Sequence, residues 1–382
     1  MNSDNNFIYF DNNATTQVDK RVFDAMAPFF LDTYANAHSH SHVGMKVNKA
    51  VEQARSQVAD LIGAEGNEII FTSGATESIN MALKGIAALN VDKGKHIITV
   101  ATEHRAVLDT CSHLETQGFE ITYLGVDSKG VIQIEQLKAA LRSDTILVCV
   151  MQVNNETGVI QPIEEIAALI RETNALFFTD ATQAAGKIDI DVQELNVDFL
   201  CLSAHKIHGP KGIGALYVKS GVKIPAYIHG GGHEKGLRSG TLNVPGIIAL
   251  GAACQIAKEE MLENAQRIGV LRDQLERGLL HIPGTSVNGN LERRIYNVTN
   301  ICFKGNEANV LMGRMKDVAV SNGSACTSAV EEPSHVLMAM RLNADDAFAS
   351  IRFSLGKFNT EQEVTRVIDK LSQLTQTNVI YA

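Results

Sequence analysis

The chain has 382 residues, 45% of them hydrophobic, with 30 glycines and 7 prolines; one core rarely fills with so much sequence, so a large and a small domain are expected. A net charge of −9 without long like-charge runs excludes nucleic acid as the main ligand. The polar start Met1 to Asn6 and the lack of any 18-residue apolar run predict neither a secretory signal nor a membrane span, and the cytoplasm is the expected location.

Residues 46–63 place Val47, Val51, Ala54, Val58 and Leu61 at three- and four-residue steps and end at Gly63, which predicts an amphipathic helix with its C-cap. Strand is predicted at 68–71, helix at about 76–89, strand at 96–100, helix at 106–117 and strand at 120–123. Further strands follow at 145–151, 177–180 and 199–203. Strands joined by helices predict a mostly parallel, doubly wound α/β sheet that binds ligands at the carboxyl ends of its strands. An amphipathic segment from Ile247 to about Leu280 leads toward a second unit beginning near Thr285. Val364, Val367, Ile368, Leu371 and Leu374 predict a closing helix over 360–376.

Two of these strands end in chemistry. The run 175–179 delivers Asp180, and 197–203 leads into Ala204-His205-Lys206-Ile207-His208-Gly209. A carboxylate keeps a pyridine nitrogen protonated and a lysine binds an aldehyde covalently, so the pair suits pyridoxal 5'-phosphate, an electron sink. A strand-end charge on its own is more often a solvated loop residue, so other motifs must decide. Thr72-Ser73-Gly74-Ala75-Thr76 follows a strand and opens a helix; the Ala75 and Thr76 amides and the Thr76 hydroxyl suit a phosphate, or make an ordinary cap. The absence of a Walker lysine argues against a P-loop. His104 follows the strand ending at Val100, where an imidazole could stack on a flat ring and exchange a proton, or be structural. Asn155 offers amide donors or an Asx turn. Gln183, three residues past Asp180, could reach the phenolate oxygen of such a cofactor, as the Asn155 amide could, or make a helix-start contact.

None of the six cysteines forms a Cys-x-x-Cys pair, so neither a zinc ribbon nor a disulfide framework is expected. Cys326 differs from the rest because its neighbours over 320–328 are small and polar, the composition of an exposed loop. His38, His40 and His42 alternate without a partner cysteine or carboxylate, so no stable metal site is expected; Cys326 alone could meet an iron–sulfur cluster only in passing.

The segments Asp11-Asn12-Asn13-Ala14-Thr15-Thr16, Thr72-Ser73-Gly74-Ala75-Thr76-Glu77-Ser78, Val153-Asn154-Asn155-Glu156-Thr157-Gly158 and Asp180-Ala181-Thr182-Gln183 begin a longer series. It continues with His205-Lys206-Ile207-His208-Gly209-Pro210, Gly230-Gly231-Gly232-His233-Glu234, Arg238-Ser239-Gly240-Thr241-Leu242, Gly323-Ser324-Ala325-Cys326-Thr327-Ser328 and Ile351-Arg352-Phe353-Ser354. In this order, over 11–356, the chain resembles the group I cysteine desulfurases of the NifS/IscS type, class V aminotransferases among the fold-type I pyridoxal-phosphate enzymes. It departs from them at Ala204, where the family usually has glycine, and at Asn36-Ala37, where it has Asn-Pro.

The resemblance implies an α/β fold-type I transferase with a large cofactor domain, 15–260, and a smaller α+β domain, 1–14 and 261–382, that carries the Cys326 loop. It implies that Lys206 carries the cofactor, Asp180 pairs with its ring nitrogen, His104 stacks on the ring, and Asn155 and Gln183 hold the ring oxygen. Ala75, Thr76, Ser203 and His205 would bind the phosphate, with Thr241 reaching the site of a second subunit in a homodimer. Arg352, helped by Asn36 and Asn155, would clamp the carboxylate of L-cysteine. Cys326 would take the sulfur as a persulfide, leaving L-alanine, and pass it to an iron–sulfur scaffold protein or another sulfur carrier, for cluster assembly or tRNA thiolation. His104 is the candidate base for that thiol. Two alternatives stay open: a selenocysteine lyase or aminotransferase on the same fold, and a sulfur-carrier scaffold with weak turnover. Cys326 speaks against transamination, and Lys206, Asp180, His104 and Cys326 together speak against a scaffold.

Overall fold

The computed structural model describes residues 7–323 and 332–376. Apart from the short strand β1 (Ile8–Tyr9), the first strands of the chain build one sheet. They are β2 (Ile69–Thr72), β3 (His96–Val100), β4 (Glu120–Leu124), β5 (Thr145–Cys149), β6 (Leu176–Asp180), β7 (Phe199–Ser203) and β8 (Gly214–Val218), in the order β2-β8-β7-β6-β5-β3-β4. From β7 to β4 every neighbouring pair is parallel, as the alternation of strands and helices predicts.

Strand β8 is the addition, antiparallel to both β2 and β7. Its five residues follow β7 after a short connection that holds one 3-10 turn and no α-helix, and only an antiparallel neighbour can be reached by so short a connection. The strand predicted over 145–151 stops at Cys149, because the Met151 amide turns away to the Glu103 carboxylate at 2.6 Å.

Strands β3, β5 and β7 are buried along their whole length, as parallel strands covered on both faces must be. Ile98, Val148, Phe177 and Leu200 join the core on one face; Ile97, Leu147, Phe178 and Cys201 join that on the other. The helix His42–Leu61 buries Val47, Val51, Ala54 and Val58. It starts four residues earlier than its apolar pattern, because the Ser41 hydroxyl caps the Gly44 amide at 3.2 Å. Helix Val244–Leu280 runs 37 residues and serves two cores, the first through Ile247, Leu250 and Cys254 and the other through Ile268, Leu275 and Leu279.

The second of these cores lies under an antiparallel sheet of β9 (Thr285–Asn288), β10 (Val298–Phe303) and β12 (Ser350–Ser354), ordered β12-β10-β9. Strand β1 pairs in parallel with β11 (Val318–Ala319). Ile8, Phe10, Phe303, Phe353 and Leu371 fill the space, closed by the helix Glu361–Gln376. Among the described residues no helix is long and apolar enough to cross a membrane.

Candidate active site

Register brings the two key strand ends together. Asp180, the last residue of β6, pairs directly with Cys201 of β7, and Lys206 sits at the end of the 3-10 turn Ala204–Lys206 that continues β7. Both line a cleft of ≈ 650 Å³ at the carboxyl edge of the parallel strands, within the size range of small-ligand sites. Ala75, Thr76, His104, Gln183, Ser203 and His205 line it too.

At one end of the cleft the helix Ala75–Asn90 begins. Its N-cap, Gly74, has φ 151° and no side chain to cap the helix, so the first amides lack a side-chain acceptor and suit an anion. Glycine is needed there because the backbone is one that L side chains rarely adopt, and Gly214 of β8 must be glycine as well, since a Cβ at 214 would lie 2.7 Å from the Gly74 Cα. Glu77 fastens this turn by accepting the Ser73 amide at 2.7 Å and the Arg238 guanidinium at 2.8 Å.

Asp180 is 4% exposed; its Oδ1 accepts the Thr182 amide at 2.9 Å and the Cys201 thiol at 3.3 Å. The Lys206 ammonium donates to the carbonyl oxygens of Asn13, at 2.5 Å, and Ala14, at 2.9 Å. Burial, and next the positive charge of Arg352, bring the Lys206 amine down to about 8, so a reactive neutral fraction exists near neutral pH. His104 opens onto the cleft as N-cap of the helix Arg105–Glu115, its Nδ1 accepting the Ala106 amide at 3.1 Å. That bond leaves the ring proton on Nε2, and loss of water lowers the ring's proton affinity. His104 therefore presents a neutral, flat face and a donor, which suits stacking better than taking a proton from a thiol. His205 is pushed lower still, to about 4, by burial and then by Lys206; it is a neutral imidazole, 3.2 Å from the Thr15 hydroxyl.

Four of the expected residues do not line the cleft among the described residues: Asn36, Asn155, Thr241 and Arg352. Asn155 meets its neighbours through its carbonyl, which accepts from Asn13 and from Arg352 at 3.0 Å each. The Asx turn weighed for it belongs to Asn154, whose Oδ1 takes the Glu156 and Thr157 amides. Arg352 is not an open fork. One arm binds Asp11 at 2.5 Å, another the Asn155 carbonyl, and its buried Nε has no partner among the described residues. Asn36 is exposed and accepts the His38 amide; His38 packs edge-on against His233. Thr241 is exposed as well. Cys326 lies outside the described residues.

Sequence reasoning missed the carbonyls of Asn13 and Ala14, the Cys201 thiol and Lys187. Lys187 donates to Gln183 Oε1 at 2.9 Å, and Gln183 Nε2 donates in turn to the Asn13 carbonyl at 2.9 Å. Burial, with the charge of Lys206 next, lowers Lys187 to about 7. The only signal in the sequence was the four-residue step from Gln183 to Lys187.

The donor set fits pyridoxal phosphate. An uncapped helix start with Ser203 and His205 nearby suits its phosphate, an amine of lowered proton affinity suits its aldehyde, and a buried carboxylate with one oxygen not engaged by Thr182 or Cys201 suits its ring nitrogen. The Aminotransferase class-V family model matches residues 8–367. The chain belongs to the class-V aminotransferase family. It groups there with the cysteine desulfurases: it is 50% identical to "Cysteine desulfurase IscS" of Anaeromyxobacter sp. (strain Fw109-5), over 98% of this chain and 95% of that one. A solved NifS-like protein matches with TM-score 0.92 and 40% identity, covering 97% of this chain and 100% of that one. The structure titled "SspA in complex with cysteine" matches with TM-score 0.83 and 37% identity, over 92% and 100%. Pyridoxal 5'-phosphate is the cofactor.

Proposed function

We propose that this cysteine desulfurase holds its cofactor with Lys206, Asp180 and His104 and delivers the sulfur of L-cysteine to Cys326. The observation that carries the reading is the placement of Asp180 and Lys206, from adjacent parallel strands, on one cleft that also receives an uncapped helix start. When bound, the cofactor supplies an electron sink for the pair left on the substrate α-carbon. Lys206 carries the cofactor at rest; once substrate displaces it, its amine is free to move the proton at that carbon. Asp180 holds a proton on the ring nitrogen, and His104 covers the ring. Ala75, Thr76, Ser203 and His205 hold the phosphate, and Gln183, steadied by Lys187, faces the ring oxygen. Arg352 orients the substrate carboxylate by exchanging Asp11 for it. The Cys326 thiol takes the sulfur, so that L-cysteine and one thiol become L-alanine and one persulfide.

We infer a homodimer. Phe23, Phe30, Leu31, Tyr34, Val43 and Met45 are all exposed, with Leu31 at 79% and Tyr34 at 76%, an apolar surface that calls for a partner. Thr241, exposed in the single chain, is then available to a neighbouring site. Buried free thiols at Cys111, Cys149, Cys201, Cys254 and Cys302 accord with a reducing cytoplasm. An iron–sulfur scaffold or another sulfur carrier is the proposed acceptor.

Purified protein given L-cysteine tests the reading. Alanine should form with visible cofactor absorbance, and sulfide should be released when reductant is added. Cys326→Ser should keep the chromophore and lose persulfide; sulfur delivery at the unchanged rate would place the acceptor thiol elsewhere.

A further inference from the structure

Cys201 stands where the reading above gives it no role, yet it touches the one carboxylate that the cofactor ring requires. Parallel pairing sets it opposite Asp180, and because both side chains leave their strands on the same side, Sγ reaches Oδ1 at 3.3 Å. The Thr182 amide reaches the same oxygen at 2.9 Å, and the Thr182 hydroxyl lies 3.8 Å from Cys201 Sγ. Cys201 is fully buried and Asp180 nearly so.

Toward the Asp180 carboxylate the thiol can only donate. Burial, and after it the Asp180 charge, push its proton affinity up, so it stays S–H throughout the neutral range. The other ionisable groups packed around this floor behave alike. Glu103 is buried with Oε1 on the Met151 amide and Oε2 without a partner among the described residues; burial raises it well above the usual carboxyl range. Cys149, on the next strand, is raised by burial and then by Glu103. His104 is lowered by burial and Lys206 is partly neutral. Both of the donors to Asp180, the Thr182 amide and the Cys201 thiol, reach the same oxygen.

We propose that Cys201 is a positioning residue for the cofactor: its S–H fixes Oδ1 of Asp180 so that Oδ2 faces the ring nitrogen. This rests on the reading of Asp180 as that nitrogen's partner. A donor to a carboxylate favours its charged form, more so in a dry site. With the charge held on Asp180, the shared proton stays on the ring side. An S–H is a weak donor, so the effect is modest and a hydroxyl replaces it.

The test compares wild type, Cys201→Ala and Cys201→Ser as holoproteins loaded with ring-¹⁵N pyridoxal phosphate. In the alanine variant the ring-nitrogen resonance should move toward the unprotonated position. Cofactor release should quicken by about three- to tenfold, the weight of one modest hydrogen bond, and kcat should fall by a similar factor with KM for L-cysteine unchanged. Serine should restore all three. In cofactor-free protein, the wild-type minus Cys201→Ser infrared difference should show an S–H band displaced from that of an unbonded thiol, a readout independent of folding defects in the alanine variant. An unbonded S–H position overturns the proposal, as does an alanine variant with the wild-type nitrogen resonance, or a serine variant no better than alanine. If Asp180→Asn leaves the nitrogen resonance of the otherwise intact holoprotein unmoved, the reading of Asp180 itself fails instead.

Discussion

The cleft and the Arg352 cluster outside its lining are built differently. On the side proposed for the cofactor, Asp180 and Ser203 end adjacent strands and Lys206 sits on the turn that follows; all three line the cleft, and burial brings the Lys206 amine down to about 8. At the place proposed for the substrate carboxylate, outside the lining of the cleft, Arg352 of β12, Asp11 and the Asn155 carbonyl meet from three distant parts of the chain, and the guanidinium is closed on protein groups. A sheet edge positions groups by register, so its site is finished when the sheet is. A cluster assembled from distant segments is held by mutual pairing, which the proposed substrate carboxylate has to undo.

The largest effect should follow from breaking the cofactor side. Lys206→Ala should abolish the visible absorbance of covalently held cofactor and lower alanine formation by about 10³-fold or more; retention of both would remove Lys206 from its role. The same amine gives a pH test in the unaltered protein. Its neutral form is the nucleophile, and burial followed by Arg352 brings it to about 8. Cofactor capture by cofactor-free protein should therefore quicken as pH rises and level off above that value. A plateau reached only near the ordinary lysine range would mean the amine is better hydrated than its surroundings imply.

On the substrate side the expected effects are smaller and of opposite sign. Arg352→Lys keeps the charge and loses the planar fork, which should raise KM for L-cysteine about tenfold with little change in kcat. Asp11→Asn removes the carboxylate that competes with substrate and should lower KM a few-fold. Were both substitutions to raise KM equally, Asp11 would be aligning the guanidinium rather than occupying it, and the contrast between the two sides would shrink.

The same contrast explains what the sequence made legible. Apolar runs ending in Asp180 or in the loop of Lys206 carry their burial pattern and their ionisable group in one local stretch, so strand and place at the sheet edge could be read together. The start of the helix Ala75–Asn90 was legible for the same reason. Nothing local to Lys206 announces that its ammonium rests on the carbonyl of Asn13, 193 positions away, because every residue has a carbonyl. Nothing local to Arg352 announces Asp11, 341 positions away. Strand β8 escaped because five residues flanked by glycine-rich loops give too short a pattern, and its pairing is decided by the bare edges of β2 and β7 that it joins. Cys201 was readable as a small buried residue; its role as a donor exists only through the register with Asp180.

The smallest effect concerns Glu156, which lies against both flanks of the segment that carries Cys326. Its carboxyl accepts the Ser334 hydroxyl at 2.5 Å and crowds Gly323, whose φ of 75° and close approach leave no room for a side chain. Burial pushes Glu156 up to about 7, opposed by the Ser334 hydrogen bond and by the charges of Arg352 and Arg105. The folded state therefore holds a proton that the unfolded chain releases near 4.5, so this group's contribution to stability declines as pH rises from about 4.5 through 7. Glu156→Gln keeps an acceptor for Ser334 and removes the titration. Its Tm relative to wild type should climb across that window, to a gain of a few degrees at pH 8, corresponding to about 1–3 kcal/mol. A difference that stays flat from pH 5 to 8 would show that Glu156 keeps one charge state throughout, and that the flanks of the Cys326 segment rest on a fixed support instead of one that changes charge near neutral pH.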